Sequence, residues 1–143
     1  MTGHISTRLL TIVDALPLLL GMRVLEIGCG PGSAAREIAR RIGGGHVVAI
    51  DRSQKAIAQA VVSCHEEIAS GALSLRHAAI EDFELAAGEP LFDLAFAIRV
   101  GALDGRHPEA GAMAMARIAA LLKPQARMFI DGGDPLRELP IPR

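Results

Sequence analysis

Glu26-Ile27-Gly28-Cys29-Gly30-Pro31-Gly32 places an acid ahead of three glycines on alternate positions. Glycines tolerate positive φ and let a backbone approach a ligand closely. Asp51 closes a separate apolar run, His46 to Ile50. A carboxylate there can accept two hydrogen bonds from the vicinal hydroxyls of a ribose, which predicts an adenosine-containing ligand. The dinucleotide fingerprint G-x-G-x-x-G fails at its third glycine, because Gly28-x-Gly30-x-Gly32 runs on into Ser33 and Ala34. The carboxylate of Glu26 suits a cationic amine better than a pyrophosphate.

These residues need strands and helices to position them. Leu9, Ile12, Val13, Leu16 and Leu20 follow helical spacing, with Gly21 as the expected stop. Arg23 to Ile27 is a β-branched apolar run suited to a buried central strand. Ala35, Ile38, Ala39 and Ile42 return to helical spacing after the glycine loop. Ser53 is a good N-cap for a helix whose stripe is Ile57, Ala60, Val61, Cys64 and Ile68. Leu73 to His77 reads as the third strand and Leu91 to Ile98 as the fourth. Pro108 suits the first turn of a helix that faces the core with Met115, Ile118, Ala119 and Leu122. Ala126 to Ile130 is the fifth strand. Such alternation argues for a parallel sheet covered on both faces. One domain is expected over residues 1–132, with an irregular tail over 133–143 that carries Pro135, Pro140 and Pro142.

Composition narrows the partners. Half of the residues are apolar, and 15 basic against 16 acidic residues leave a net charge of −1. That balance carries no footprint for nucleic acid or an acidic membrane. Trp and Tyr are absent and Phe is scarce, so platforms for stacking bases are not expected. Cys29 and Cys64 form no CxxC pair, and His4, His46, His65, His77 and His107 form no spaced ligand pair. No metal site is expected, and a reducing cytoplasm fits best. The first residues lack a signal-peptide layout, and the apolar stretch Leu16 to Leu20 is too short to span a membrane.

Val24-Leu25-Glu26-Ile27-Gly28-Cys29-Gly30-Pro31-Gly32 resembles the first motif of class I S-adenosylmethionine-dependent methyltransferases. Val48-Ala49-Ile50-Asp51 resembles their second strand and its ribose-binding acid. Glu81-Asp82-Phe83, Phe92 to Ala97 and Leu121-Leu122-Lys123-Pro124 to Phe129 resemble later family segments in the right order. The resemblance implies an α/β three-layer Rossmann-like sandwich, with helices on both faces of a mostly parallel five-stranded sheet ordered 3-2-1-4-5. It implies S-adenosyl-L-methionine as cofactor. Gly28, Cys29, Gly30, Pro31 and Gly32 would wrap its methionine half, and Glu26 would orient the amino group. Asp51 would bind the ribose, Arg52 would flank the adenine and Ile80 would hold the ring. Ala97 would offer its carbonyl to the amino group, with Ile98 and Arg99 nearby. Two departures stand out. Ala79 takes the place of an Asp that contacts the adenine amino group, so Glu81 or a backbone carbonyl must do so. Only 13 residues follow Ile130, so the usual C-terminal hairpin of two antiparallel strands is expected to be missing and the sheet to stop at strand five.

Several residues keep two readings. Glu26 either meets the ligand or pairs with Arg23 or a helix terminus. Cys29 either reacts or simply fits the turn. His107 and Asp104 follow strand four and are candidates for a general base, though His-Pro there also starts a helix. Arg99 meets a substrate carboxylate or pairs on the surface. Met113 and Met115 read as core or contact surface. Three functions follow: a methyltransferase with a small-molecule acceptor, a cofactor-binding module without independent catalysis, and a nicotinamide-dependent oxidoreductase, which the glycine spacing disfavours. The amino-methylation motif of base methyltransferases is absent, since Ala97-Ile98-Arg99-Val100 stands there. An open edge at strand five predicts a homodimer or a partner subunit that covers it.

Overall fold

Local signals set most element ends in the computed structural model, which describes residues 5–143. His4 lies outside the described residues. Helix α1 (Thr7–Ala15) starts where the Ser6 side chain accepts from the Leu9 N–H. It ends before Gly21, because Leu16 precedes Pro17 and takes extended dihedrals of −70° and 138°. Leu20 consequently leaves the helical stripe and is exposed, as is Leu19 beside it. Strand β1 (Arg23–Ile27), helix α2 (Ser33–Arg41) and strand β2 (His46–Asp51) follow. The next stripe is one helix in its spacing but two in space, α3 (Gln54–Ser63) and α4 (His65–Ala69), which break at Cys64. Tertiary contact marks that break: the Ser63 hydroxyl donates to the Pro31 carbonyl at 2.7 Å, and the Cys64 thiol lies 3.6 Å from the Gly32 carbonyl.

Strands β3 (Leu73–His77), β4 (Phe92–Ala97), β5 (Leu122–Asp131) and β6 (Leu136–Leu139) complete one sheet in the order β3-β2-β1-β4-β5-β6. Strands β1 to β5 pair in parallel, and β6 runs antiparallel to β5. The sheet therefore has six strands rather than five, and residues 133–143 are not an irregular tail. The prolines concealed this. Pro135 and Pro140 flank β6 rather than interrupting it, so the ladder loses no N–H within the strand. Leu136-Arg137-Glu138-Leu139 is also too short to show alternation. Arg127 pairs with Glu138 across the β5–β6 hairpin at 2.7 Å.

Side chains alternate along each strand, so each face has its own core. Leu25, Ile27, Val48 and Met128 pack with Ile118 and Leu121 of helix α5 (Pro108–Leu121). Val24, Val47, Leu94 and Phe96 pack on the other face with Val13 of α1 and Ile38 of α2. Burial on both faces explains the near-continuous apolar runs of β1, β2 and β4. Strand order reverses at β1 and β4, which opens a crevice beyond their carboxyl ends.

Candidate functional site

The glycine loop occupies that crevice. The Gly28 and Cys29 N–H groups both donate to the Ile50 carbonyl, at 2.9 and 3.0 Å. This ties the loop to the end of β2. Gly28 has φ +72°, and a Cβ there would fall 2.7 Å from Val100 Cγ2. Gly32 has φ +89°, and a Cβ there would fall 2.8 Å from Cys64 Sγ. Both positions demand glycine for backbone angle and for space. Gly32→Ala is expected to cost at least about 1–2 kcal/mol from the left-handed angle alone. A thermal melt should show Tm lowered by about 3–8 °C, and an unchanged Tm would refute this packing.

Asp51 holds the loop from the side. Its Oδ2 accepts from Gly30 N and its Oδ1 from Ser53 N, each at 2.8 Å. Ser53 in turn caps α3, as its sequence context predicts, by accepting from Ala56 N. A carboxylate with two oxygens retains free lone pairs after these bonds.

Glu26 lies beneath the loop and is only 2% exposed. Its Oε1 has no hydrogen-bond partner. Burial pushes its carboxyl up from 4.5 to about 8, the backbone of Ala35 opposes the rise, and the charge of Asp51 adds to it. Glu26 does not pair with Arg23. An odd separation along β1 sends the two side chains to opposite faces. Arg23 instead lies over the Phe92 ring at 5.1 Å and 3.8 Å from Glu89. A buried acceptor without a partner is costly and marks a place where a ligand donor fits.

Cys29 is buried, and burial followed by the charges of Glu26 and Asp51 pushes its thiol up. It is held as a neutral thiol and fills the turn.

Two hollows meet above the sheet. The larger, of 470 Å³, is lined by Gly28, Asp51, Arg52, Ile80, Glu81 and Arg99 among others, with His107 at its wall. The smaller, of 180 Å³, is lined by Arg8, Glu26, Gly28, Gly30, Ser33 and Arg99 among others. Gly28 and Arg99 belong to both. Cys29, Pro31 and Ile98 also line the smaller hollow, whereas Gly32 and Ala97 line neither. Arg52 and Glu81 reach across the mouth of the larger one, 3.8 Å apart. The Ala79 carbonyl accepts from Asp82 N and Ile80 is buried in the short turn Ile80–Asp82.

Of the two base candidates, only His107 faces the cleft. It precedes Pro108 at the start of α5, so the helix-start reading also holds. Asp104 lines neither hollow. Hydrogen bonds from the Arg106 backbone and then its side chain, at 2.6 Å to the guanidinium, hold the Asp104 carboxyl below its ordinary value. Among the described residues no group of three or more His, Cys, Asp and Glu could hold a metal ion. No helix among them is long and apolar enough to cross a membrane.

Two residues escaped the reading of the sequence. Asp131 ends β5; its Oδ1 accepts from Arg99 N at 3.0 Å and its Oδ2 from Arg8 Nη2 at 3.1 Å. Arg99 is held with φ +59°, outside the usual range for a residue with a side chain. An acid at the carboxyl end of a strand was the available signal for Asp131, and Asp51 shows the same placement. Nothing near Arg8 marked it.

Residues 24–125 match a family model described as a methyltransferase domain, spanning β1 into the start of β5. The chain belongs to that family. It is 35% identical over 132 residues to nocamycin O-methyltransferase of Saccharothrix syringae, covering 92% of this chain and 44% of that one. It is 31% identical over 118 residues to the ubiquinone biosynthesis O-methyltransferase of Bradyrhizobium diazoefficiens, covering 82% of this chain and 42% of the other. The chain thus spans less than half the length of these curated relatives. The fold matches a methyltransferase of Thiobacillus denitrificans solved with S-adenosyl-L-homocysteine, at a TM-score of 0.69 and 23% identity, over 91% of this chain and 50% of that one.

Proposed function

We propose that this methyltransferase domain binds S-adenosyl-L-methionine and directs its methyl group to the oxygen of a small molecule. The observation that carries the reading is the pair of acids flanking the glycine loop: Glu26, buried with an unpartnered oxygen, and Asp51, with lone pairs to spare. A dinucleotide would bring a pyrophosphate toward Glu26, whereas an amino acid brings an ammonium. The residues therefore fit this cofactor. Glu26 holds the ammonium, Asp51 the ribose hydroxyls, and Gly28 to Gly32 the chain between them. Arg52, Ile80 and Glu81 surround the adenine, while Ile98 and Arg99 line the amino acid end, where the resemblance puts the Ala97 carbonyl.

When bound, the cofactor supplies an already activated methyl group. The chain's own residues then supply proximity and alignment. His107 stands at the wall to take a proton from an acceptor that must lose one early, and Asp104, locked to Arg106, does not. The O-methyltransferase relatives support an oxygen acceptor, and the near-zero net charge favours a small molecule over nucleic acid.

A covering subunit is not required by the sheet edge. The edge strand is the four-residue β6, and its Arg137 and Glu138 are the kind of charges that blunt edges. Incubation of the protein with methyl-labelled cofactor and a metabolite extract tests the catalytic reading. Label is expected in a small organic fraction. Binding without any transfer would favour a module that needs a further polypeptide.

A further inference from the structure

A third hollow, of 280 Å³, opens beside the larger one. Ala102 and His107 line both, so the two share a wall. Leu103, Pro108, Met115 and Leu139 make the rest of this hollow largely apolar. Gly111 lets α5 close on the shared wall, since a Cβ there would fall 2.7 Å from the Ala102 carbonyl oxygen. Glycine weakens a helix interior, and this close approach accounts for it.

One cation joins the apolar lining. Side chains alternate along β6, so Leu136 packs in one core while Arg137 and Leu139 turn to the other face, the one that α5 covers. Arg127 is matched by Glu138, whereas Arg137 has no ion pair among the described residues. Its guanidinium offers a fork of N–H donors that fits a carboxylate. Arg99 lines the other two hollows and not this one. An apolar cavity of about 150 Å³ takes a benzene ring. The 280 Å³ here suits one ring with a short side chain.

We propose that this hollow holds the methyl acceptor, a one-ring hydroxy acid whose carboxylate meets Arg137 and whose hydroxyl lies at the shared wall beside His107. That the occupant is an acceptor rests on the methyl-transfer reading above; the preference for a ring-bearing acid rests on the hollow alone. The competing explanation is that Arg137 only blunts the sheet edge.

Ligand-observed NMR titration of the chain saturated with S-adenosylhomocysteine separates the two. The probes are 4-hydroxyphenylacetate and 3-hydroxybenzoate, the neutral amide of each, and glycolate, which keeps a hydroxyl and a carboxylate but has no ring. The native chain is expected to bind each ring acid about 5- to 20-fold more tightly than its amide, and glycolate at least about tenfold more weakly than either acid. Arg137→Gln should abolish the preference for acid over amide. Its affinities for the amides and for S-adenosylhomocysteine should stay unchanged, which also shows that the variant is folded. Arg137→Lys should recover part of the preference, because a cation remains. Equal binding of acids and amides by the native chain overturns the assignment and leaves Arg137 an edge charge. A preference that survives Arg137→Gln, or glycolate binding as tightly as the ring acids, overturns it as well. If the chain does not bind S-adenosylhomocysteine, the cofactor reading fails; the same titrations on the chain without it then decide the acid preference separately.

Discussion

Asp51→Ala is expected to weaken S-adenosylhomocysteine binding by about 30- to 100-fold, or roughly 2–3 kcal/mol. The reasons are local. Asp51 ends β2 at the mouth of the cleft, where each oxygen already accepts one backbone N–H, from Gly30 and from Ser53. The lone pairs left over are the ones a ribose diol meets. Alanine removes both charge-assisted bonds to the ligand and also releases Gly30 from its brace. Asp51→Asn separates these contributions. It keeps one oxygen to accept from a backbone N–H but offers less to a diol, so an intermediate loss is expected. Calorimetry on the two variants reads both values. An unchanged dissociation constant in Asp51→Ala would refute the ribose role.

Glu26→Gln is expected to move stability and binding in opposite directions. The folded chain holds a proton on Glu26 up to about pH 8, whereas an unfolded carboxyl loses it near 4.5. The folded state therefore binds more protons between those values. The contribution of this group to stability is fully present below about 4.5 and is lost as pH rises through about 8. The loss is on the order of 3–6 kcal/mol of unfolding free energy. Glutamine carries no charge to desolvate, so the variant should melt higher than the native chain at pH 8 and show little of this pH dependence. The same change removes the carboxyl that an incoming ammonium would draw into its charged form, and affinity for S-adenosylhomocysteine should fall at least about tenfold. Denaturant melts across pH, with titrations at one pH, check both. A variant less stable at pH 8 would mean that Glu26 is paired and structural.

How much of this was legible in the sequence depended on distance along the chain. The glycine loop, Asp51 and the Ser53 cap are governed by neighbouring residues, and all three stand where their spacing placed them. The order of the first five strands followed from alternation together with the resemblance. The early end of α1 was also local, but the periodic leucines masked the effect of Pro17. The break at Cys64 was not local, because it accompanies contacts from Ser63 and Cys64 to the glycine loop. Strand β6 carried too few residues for a pattern, and its flanking prolines resembled a tail. The Arg8–Asp131 contact joins residues 123 positions apart, which no spacing rule reaches. Glu26 lay between these cases: its position was visible, whereas its missing partner needed coordinates.

Side-by-side calorimetric titration of the chain with S-adenosylmethionine, S-adenosylhomocysteine and NADH tests the central claim most directly. The glycine spacing and the buried acid beneath it lead us to expect saturable binding of both adenosyl amino acids, with NADH much weaker. Tighter binding of NADH would contradict it.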